Sequence, residues 1–289
     1  MIDMRLAQVL LPGLTLYEQK CQRLDAGALA STHDVIQIAV NSPVSGLDSV
    51  SEGRLLRTLQ ASECDVAHIY GSPVPSAMAR QMAVPFVAGT EVFSKRIFFH
   101  PGKRARSRAM PPAGPGAIAE PVDDEFLRAL PRRPGDGEWI VGSVGPHRRG
   151  VREMIELTLA RIYRFREDVS WHLLDQAPAP PDLAAVDIWV DPAADDADAD
   201  GFTAEAMVSG LPVIASRTAV NRFRTDEGRA AILVPPGDPN ELTHAILTAL
   251  FKPETIAGRL AAARELQPRF SPARRAEALA AIYRELKKP

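Results

Sequence analysis

Short apolar runs alternate with stretches of helical periodicity along most of this chain, and few folds accommodate that alternation. In the first half, runs at 6–11, 35–40, 65–70 and 84–88 are predicted as strands, with helices over 17–30, 55–60 and 76–82. Strands separated by helices require right-handed crossovers and a parallel sheet. The rhythm stops at 93–116, where proline, glycine and arginine dominate and a long irregular loop is predicted. After a short helix near 124–130, residues 131–137 punctuate structure and have nothing to bury, so they read as a linker. The rhythm then restarts with strands at 139–144, 171–174, 186–190, 211–216 and 231–234. Val151, Ile155, Leu159 and Ile162 share one face of the helix between the first two. Asp238 caps a further helix with Pro239 at its first position, and Ser271-Pro272 opens the last, with Leu279, Ile282 and Leu286 on one face. The pattern predicts two α/β domains, 1–135 and 136–289, each with a Rossmann-like parallel sheet and with a cleft between them.

Composition narrows the partners. The net charge of −2 over 289 residues gives no polyelectrolyte character, so nucleic acid is not expected as a partner. Lys103, Arg104, Arg106 and Arg108 form a local basic run: a solvated loop on the plain reading, a contact for anionic lipid or an acidic acceptor on the other. Cys21 and Cys64 are too few for a disulfide framework and suggest packing roles in a reducing compartment. With no signal pattern at the N-terminus and no apolar run of spanning length, a cytoplasmic protein is expected, with the 103–108 run as a peripheral contact to the inner face of the membrane.

Residues 200–216 are the most informative stretch: a turn, a short helix, a glycine stop and a buried strand. The first amides of that helix, about 202–205, have no intrahelical partners, and the helix dipole favours an anion near them. Glu205 lies in this first turn, either as a carboxylate for a ribose diol or as a complement to the dipole. The acidic run 195–200 reads as a solvated loop, and no His, Cys or carboxylate spacing suggests a metal site. His68, inside a strand, reads as a core histidine. His100 and His147 fall in loops, and His147 is the better functional candidate of the two.

Glu205-Ala-Met-Val-Ser-Gly-Leu-Pro-Val213, Ala231-Ile-Leu-Val-Pro-Pro-Gly-Asp-Pro239, Phe270-Ser-Pro272 and Gly142-Ser-Val-Gly-Pro-His-Arg-Arg-Gly-Val151 together resemble the family-4 glycosyltransferases, glycosyl transferases group 1, over about 138–287. The resemblance implies a GT-B fold, with the C-terminal helix packing back toward the first domain. It also implies a retaining transfer of a hexose from a nucleotide-sugar such as a UDP- or GDP-sugar. The acceptor would be a glycan, a lipid-linked sugar or a small molecule, and no metal or other cofactor is expected. Carried over by residue, Glu205 would bind the ribose. Arg149, with Arg148 beside it, would neutralise the diphosphate. Gly201 and the amides of Phe202 and Thr203 would line the phosphate oxygens, and Asp200 or Asp198 would contact the sugar. In the first half, Gly13 would approach the donor phosphates, and Glu91, where the family often has a histidine, either polarises the acceptor hydroxyl or is an exposed loop acid.

The chain also departs from the family pattern. Ala197 stands where the family has a second glutamate, and Pro146 where it has an arginine. Pro12-Gly13 replaces a glycine-rich turn, a strand–helix segment is missing between 174 and 186, and no histidine follows the strand at 84–88. These departures keep two further readings open: a catalytically degenerate GT-B scaffold that binds a nucleotide or a protein partner, and a nucleotide-sugar epimerase.

Overall fold

The structure, a computed structural model, describes residues 4–12, 14, 16–40, 49–71, 81–82, 84–88, 97–99, 106–107, 119–127, 137–145, 149–195, 199, 202–252 and 254–287. Contacts divide the chain into two units, Met1–Pro121 with Pro272–Pro289, and Val122–Ser271. The boundary after Pro121 lies ahead of the expected 135/136, and the C-terminal helix returns to the first unit as the resemblance implied. Val122 N–H donates to the Phe270 carbonyl at 2.9 Å and Ser209 Oγ to the Phe126 carbonyl at 3.1 Å, so the 3-10 turn Asp124–Leu127 packs with the second unit. The last helix, for its part, packs in the first unit.

Unit 1 begins β1 (Arg5–Leu10), α1 (Leu16–Leu29), β2 (Asp34–Ala39), α2 (Ser49–Ala61), β3 (Val66–Tyr70) and β4 (Phe86–Ala88). Short strands β5 (Ile97–Phe99) and β6 (Arg106–Ser107) follow, and the sheet order is β2-β1-β3-β4-β5-β6. The first four strands are parallel, as the β-α rhythm requires. β5 and β6 are antiparallel, which corrects the expectation of an irregular loop over 93–116. A three-residue run such as Ile97-Phe-Phe99 is too short to show a period in sequence. Side chains alternate between the faces of the sheet, as the two-residue period dictates. Val9, Ile69 and Phe86 pack against Leu55 and Leu59 of α2. Leu6, Val66 and Val87 pack on the other face, with Leu29 of α1 and with Leu279, Tyr283 and Leu286 of the C-terminal helix Pro272–Lys287.

That helix is tied down by charge as well as by apolar area. Arg275 is 3% exposed and Asp25 1%. Arg275 Nε donates to Asp25 Oδ1 at 2.6 Å and its Nη2 to Oδ2 at 3.0 Å. The Tyr70 hydroxyl donates to the same Oδ2 at 3.0 Å. Burial, reinforced by the Asp25 charge, pushes the Tyr70 pKa well above its ordinary value. His68 stacks on Tyr70 and its Nδ1 lies 2.7 Å from the Tyr283 hydroxyl, the core histidine that its strand position suggested. Both cysteines are buried, and burial pushes the Cys21 thiol up to about 12 and Cys64 upward as well.

Unit 2 runs β7 (Trp139–Val144), α3 (Arg149–Ile162), β8 (Val169–Leu174), α4 (Pro180–Ala184), β9 (Ile188–Asp191), α5 (Thr203–Val208) and β10 (Val213–Ser216). Then come α6 (Ala219–Arg224), β11 (Ile232–Val234), α7 (Pro239–Phe251) and α8 (Glu254–Leu266), which makes the C-terminal helix α9. The five strands form a parallel sheet in the order β11-β10-β9-β7-β8. Between β8 and β9 the chain has only the five-residue α4. Helices α6 and α8 carry no marked apolar stripe and had no counterpart in the sequence reading. The buried stripe of α3 runs through Val151, Met154, Thr158 and Ile162, with Ile155 and Leu159 at its border. The expected face is thus rotated by part of a turn toward α7, which it packs against.

Removing one member of the Asp25–Arg275 pair leaves the other charge buried and unpaired. Arg275→Ala is expected to lose about 3–5 kcal/mol in urea unfolding, and the double replacement Asp25→Leu/Arg275→Met markedly less. Equal losses in the two variants would show that the pair is not the anchor.

Candidate functional site

In an open parallel sheet, ligands sit beyond the carboxyl ends of the strands where the chain reverses its direction of progress across the sheet. In unit 2 that point lies between β7 and β9. The chain moves outward from β7 to β8, then returns to the other side of β7 as β9. The two segments that follow these neighbouring strands therefore emerge at the same end. After β7 the chain passes Gly145 and enters α3 at Arg149. After β9, which ends at Asp191, it enters α5 at Thr203. The topology thus brings the backbone of Arg149 and the helix carrying Glu205 to one switch point.

The close approach of the two strands has a local cause. A Cβ placed on Gly142 of β7 would lie 2.8 Å from Val186 Cγ1, so only glycine lets the segment leading into β9 lie against β7. Gly210, at φ +87°, stops α5. Leu211 N–H donates to the Ala206 carbonyl and Gly210 N–H to the Met207 carbonyl, both at 3.1 Å, a Schellman closure that returns the chain directly to β10.

Every residue of α5 is buried, Glu205 at 1% exposure and Thr203 at 0%. Its N-cap is Phe202, which has no side-chain oxygen to cap the first amides. Under this helix lies a polar floor. Asp191 Oδ2 accepts from Thr203 Oγ1 at 3.2 Å and from Asn221 Nδ2 at 2.8 Å. Asn221 Nδ2 also donates to the Ser216 carbonyl at 3.1 Å, and its Oδ1 accepts from Arg224 Nη1 at 3.3 Å. Thr218 caps α6 by accepting from Asn221 N–H at 3.2 Å. These residues are buried too, so the hydrogen bonds among them do not compete with water.

Of the residues singled out in sequence, Phe202, Thr203 and Glu205 stand together at the start of α5. The backbone of Arg149 opens α3, and its side chain lies outside the described residues. Arg148, His147, Asp198, Asp200, Gly201, Gly13, Glu91 and His100 also lie outside them. Asp191, Asn221 and Arg224 were missed in sequence. An Asp ending a predicted strand in Val-Asp-Pro was a faint signal, and Asn221 gave none. Among the described residues, no group of three or more His, Cys, Asp or Glu side chains is clustered for a metal ion, and no helix is long and apolar enough to cross a membrane.

Comparison with solved structures finds the same architecture over nearly the whole chain. A glycosyltransferase from Rickettsia africae superposes with a TM-score of 0.71 at 11% identity, covering 99% of each chain. The Anabaena protein HepE, solved in complex with UDP and glucose, gives 0.65 at 15% identity, covering 98% of this chain and 100% of HepE. Sucrose-phosphate synthase from Thermosynechococcus elongatus gives 0.60 at 14%, covering 98% and 99%. The sequence comparison with curated proteins gives no match. Two parallel-sheet α/β units with these likenesses define the GT-B fold. Residues 124–251 match the family described as Glycosyl transferases group 1.

The glycine in β7 supplies a stability test. Gly142→Ala is expected to cost about 1–3 kcal/mol in urea unfolding, because Val186 stands on its own backbone and cannot swing clear. Gly145→Ala, whose near neighbour is the half-exposed side chain of Leu173, is expected to cost clearly less. The reverse order would refute the close-approach argument.

Proposed function

We propose that this glycosyltransferase moves a hexose from a nucleoside-diphosphate donor to an acceptor hydroxyl with retention at the anomeric carbon, in the manner of family 4. The observation that carries the reading is the convergence of the Arg149 and Glu205 segments at the switch point of unit 2, inside the residues that match the family. The binding of UDP and glucose by HepE supports it. Glu205 accepts hydrogen bonds from the ribose hydroxyls, charge-assisted because the carboxylate is ionised. The Arg149 guanidinium, with Arg148, faces the diphosphate. As the bond from the anomeric carbon to the diphosphate oxygen breaks, its electron pair stays on the diphosphate, and the arginine charge stabilises that developing anion. Gly201 and the amides of Phe202 and Thr203 meet the phosphate oxygens, while Asp198 or Asp200 holds the sugar. The acceptor oxygen bonds to the anomeric carbon and passes its proton to the departing diphosphate oxygen, with Glu91 polarising the hydroxyl. No metal or other cofactor enters this scheme.

The acceptor belongs to unit 1 in this reading. A cavity of about 630 Å³ lies at the carboxyl ends of β1 and β2, with Leu10, Pro12 and Val40 as apolar wall and Gln22, Gln37 and Arg23 as polar wall. Amides beside apolar surface suit a hydroxylated acceptor, either a glycan or a small molecule.

Saturation with UDP, GDP or ADP, at about a hundred times Kd, adds about 2.7 kcal/mol of stability and is expected to raise the melting temperature of the protein. Glu205→Gln is expected to abolish most of that rise, and Arg149→Ala to lower kcat about 10²–10³-fold. If none of the three nucleotides stabilises the wild type, the donor reading is wrong. Binding without nucleotide release from any donor sugar would instead favour the degenerate scaffold. For the acceptor side, Ala39→Trp fills the unit 1 cavity and is expected to raise the acceptor KM while leaving the nucleotide-induced melting shift unchanged. An unaltered acceptor KM would remove the cavity from the scheme.

A further inference from the structure

A buried carboxylate recognises a ribose only if the backbone that carries it is held where the sugar arrives, and the helix carrying Glu205 is tied to the sheet at its first residue. Glu205 is the third residue of α5 and 1% exposed, so its place is set by the helix rather than by a freely swinging side chain. The first residue of that helix, Thr203, donates from Oγ1 to Asp191 Oδ2 at 3.2 Å. Asp191 ends β9, which is paired to β7 on one side and β10 on the other, so its backbone is fixed by the middle of the sheet. The same Oδ2 accepts from Asn221 Nδ2 at 2.8 Å. Asn221 is locked in turn by Ser216, Thr218 and Arg224, which leaves its amide one orientation.

We propose that Asp191 and Asn221 are positioning residues for Glu205, acting through Thr203, and that this chain sets the preference of the site for a ribose over a deoxyribose diphosphate. The assignment rests on the donor reading above and extends it to residues two elements away from the ligand. A relay of this kind predicts that loosening Thr203 changes which sugar ring is accepted, beyond any change in stability. A purely structural role would lower the melting temperature and leave that selectivity where it was.

The experiment compares affinities of UDP, GDP and ADP with those of their 2′-deoxy counterparts by isothermal titration, using the full chain. For whichever base binds, the wild type is expected to prefer the ribonucleotide by roughly tenfold or more, the value of a hydrogen bond to a charged group. Thr203→Val removes the hydroxyl at nearly the same shape, and the preference is expected to fall below about threefold as that bond is lost. Thr203→Ser keeps the donor and is expected to keep the preference. Asn221→Ala, which frees Asp191 from the other side, is expected to follow Thr203→Val and serves if the valine variant does not fold. If the wild type discriminates and both Thr203→Val and Asn221→Ala discriminate equally well, the donor reading stands and this assignment alone falls. If the wild type binds no diphosphate, or binds both forms alike, the ribose role of Glu205 fails and the assignment with it.

Discussion

Burying a carboxylate is costly unless donors face it, and in each unit a buried aspartate takes hydrogen bonds from two neighbouring elements. In unit 1 it is Asp25, on α1, held by Arg275 from the last helix and by Tyr70 from β3. In unit 2 it is Asp191, at the end of β9, held by Thr203 from α5 and Asn221 from α6. The two differ in their donors. A guanidinium answers Asp25 with two hydrogen bonds and a full opposite charge, which suits an anchor. A hydroxyl and an amide answer Asp191, neutral donors that fix direction without an opposite charge.

The fold was largely legible because its signal is periodic. Strands β1 to β3 and β7 lie within a residue or two of their expected positions, since a buried parallel strand reads as an uninterrupted apolar run. The misses share one physical reason. β5, β6 and the six-residue α6 are all too short to display a period. A boundary was expected at 131–137 because that segment looks like a linker by composition, whereas contacts such as Ser209 to Phe126 decide where a segment packs. Pairings across 83 residues leave no local trace.

The candidate site divides along the same line. Glu205 and its neighbours were visible because a helix start, a glycine stop and a buried strand follow one another within a few residues. Asp191, Asn221 and Arg224 were invisible because their meaning is relational. An asparagine three residues after Thr218 reads as part of a capped turn, and only the sheet order brings it over the end of β9. Gly142 was noticed as part of a turn motif, yet its structural reason lies 44 positions along the chain, in the Val186 side chain that occupies the space beside it.

The return of α9 to the first unit has a consequence for how the molecule is made. Leu6, Val66 and Val87 share their cluster with Leu29 of α1 and with residues 276–286, so an emerging polypeptide carries part of that apolar sheet face uncovered until α9 is made. The second unit, continuous from Val122 to Ser271, has all its own partners by then and folds before the first is complete. Assembly is therefore out of order with respect to synthesis: the half written first is finished last. A premature stop after residue 271 yields a chain whose later half is sound and whose earlier half is sticky.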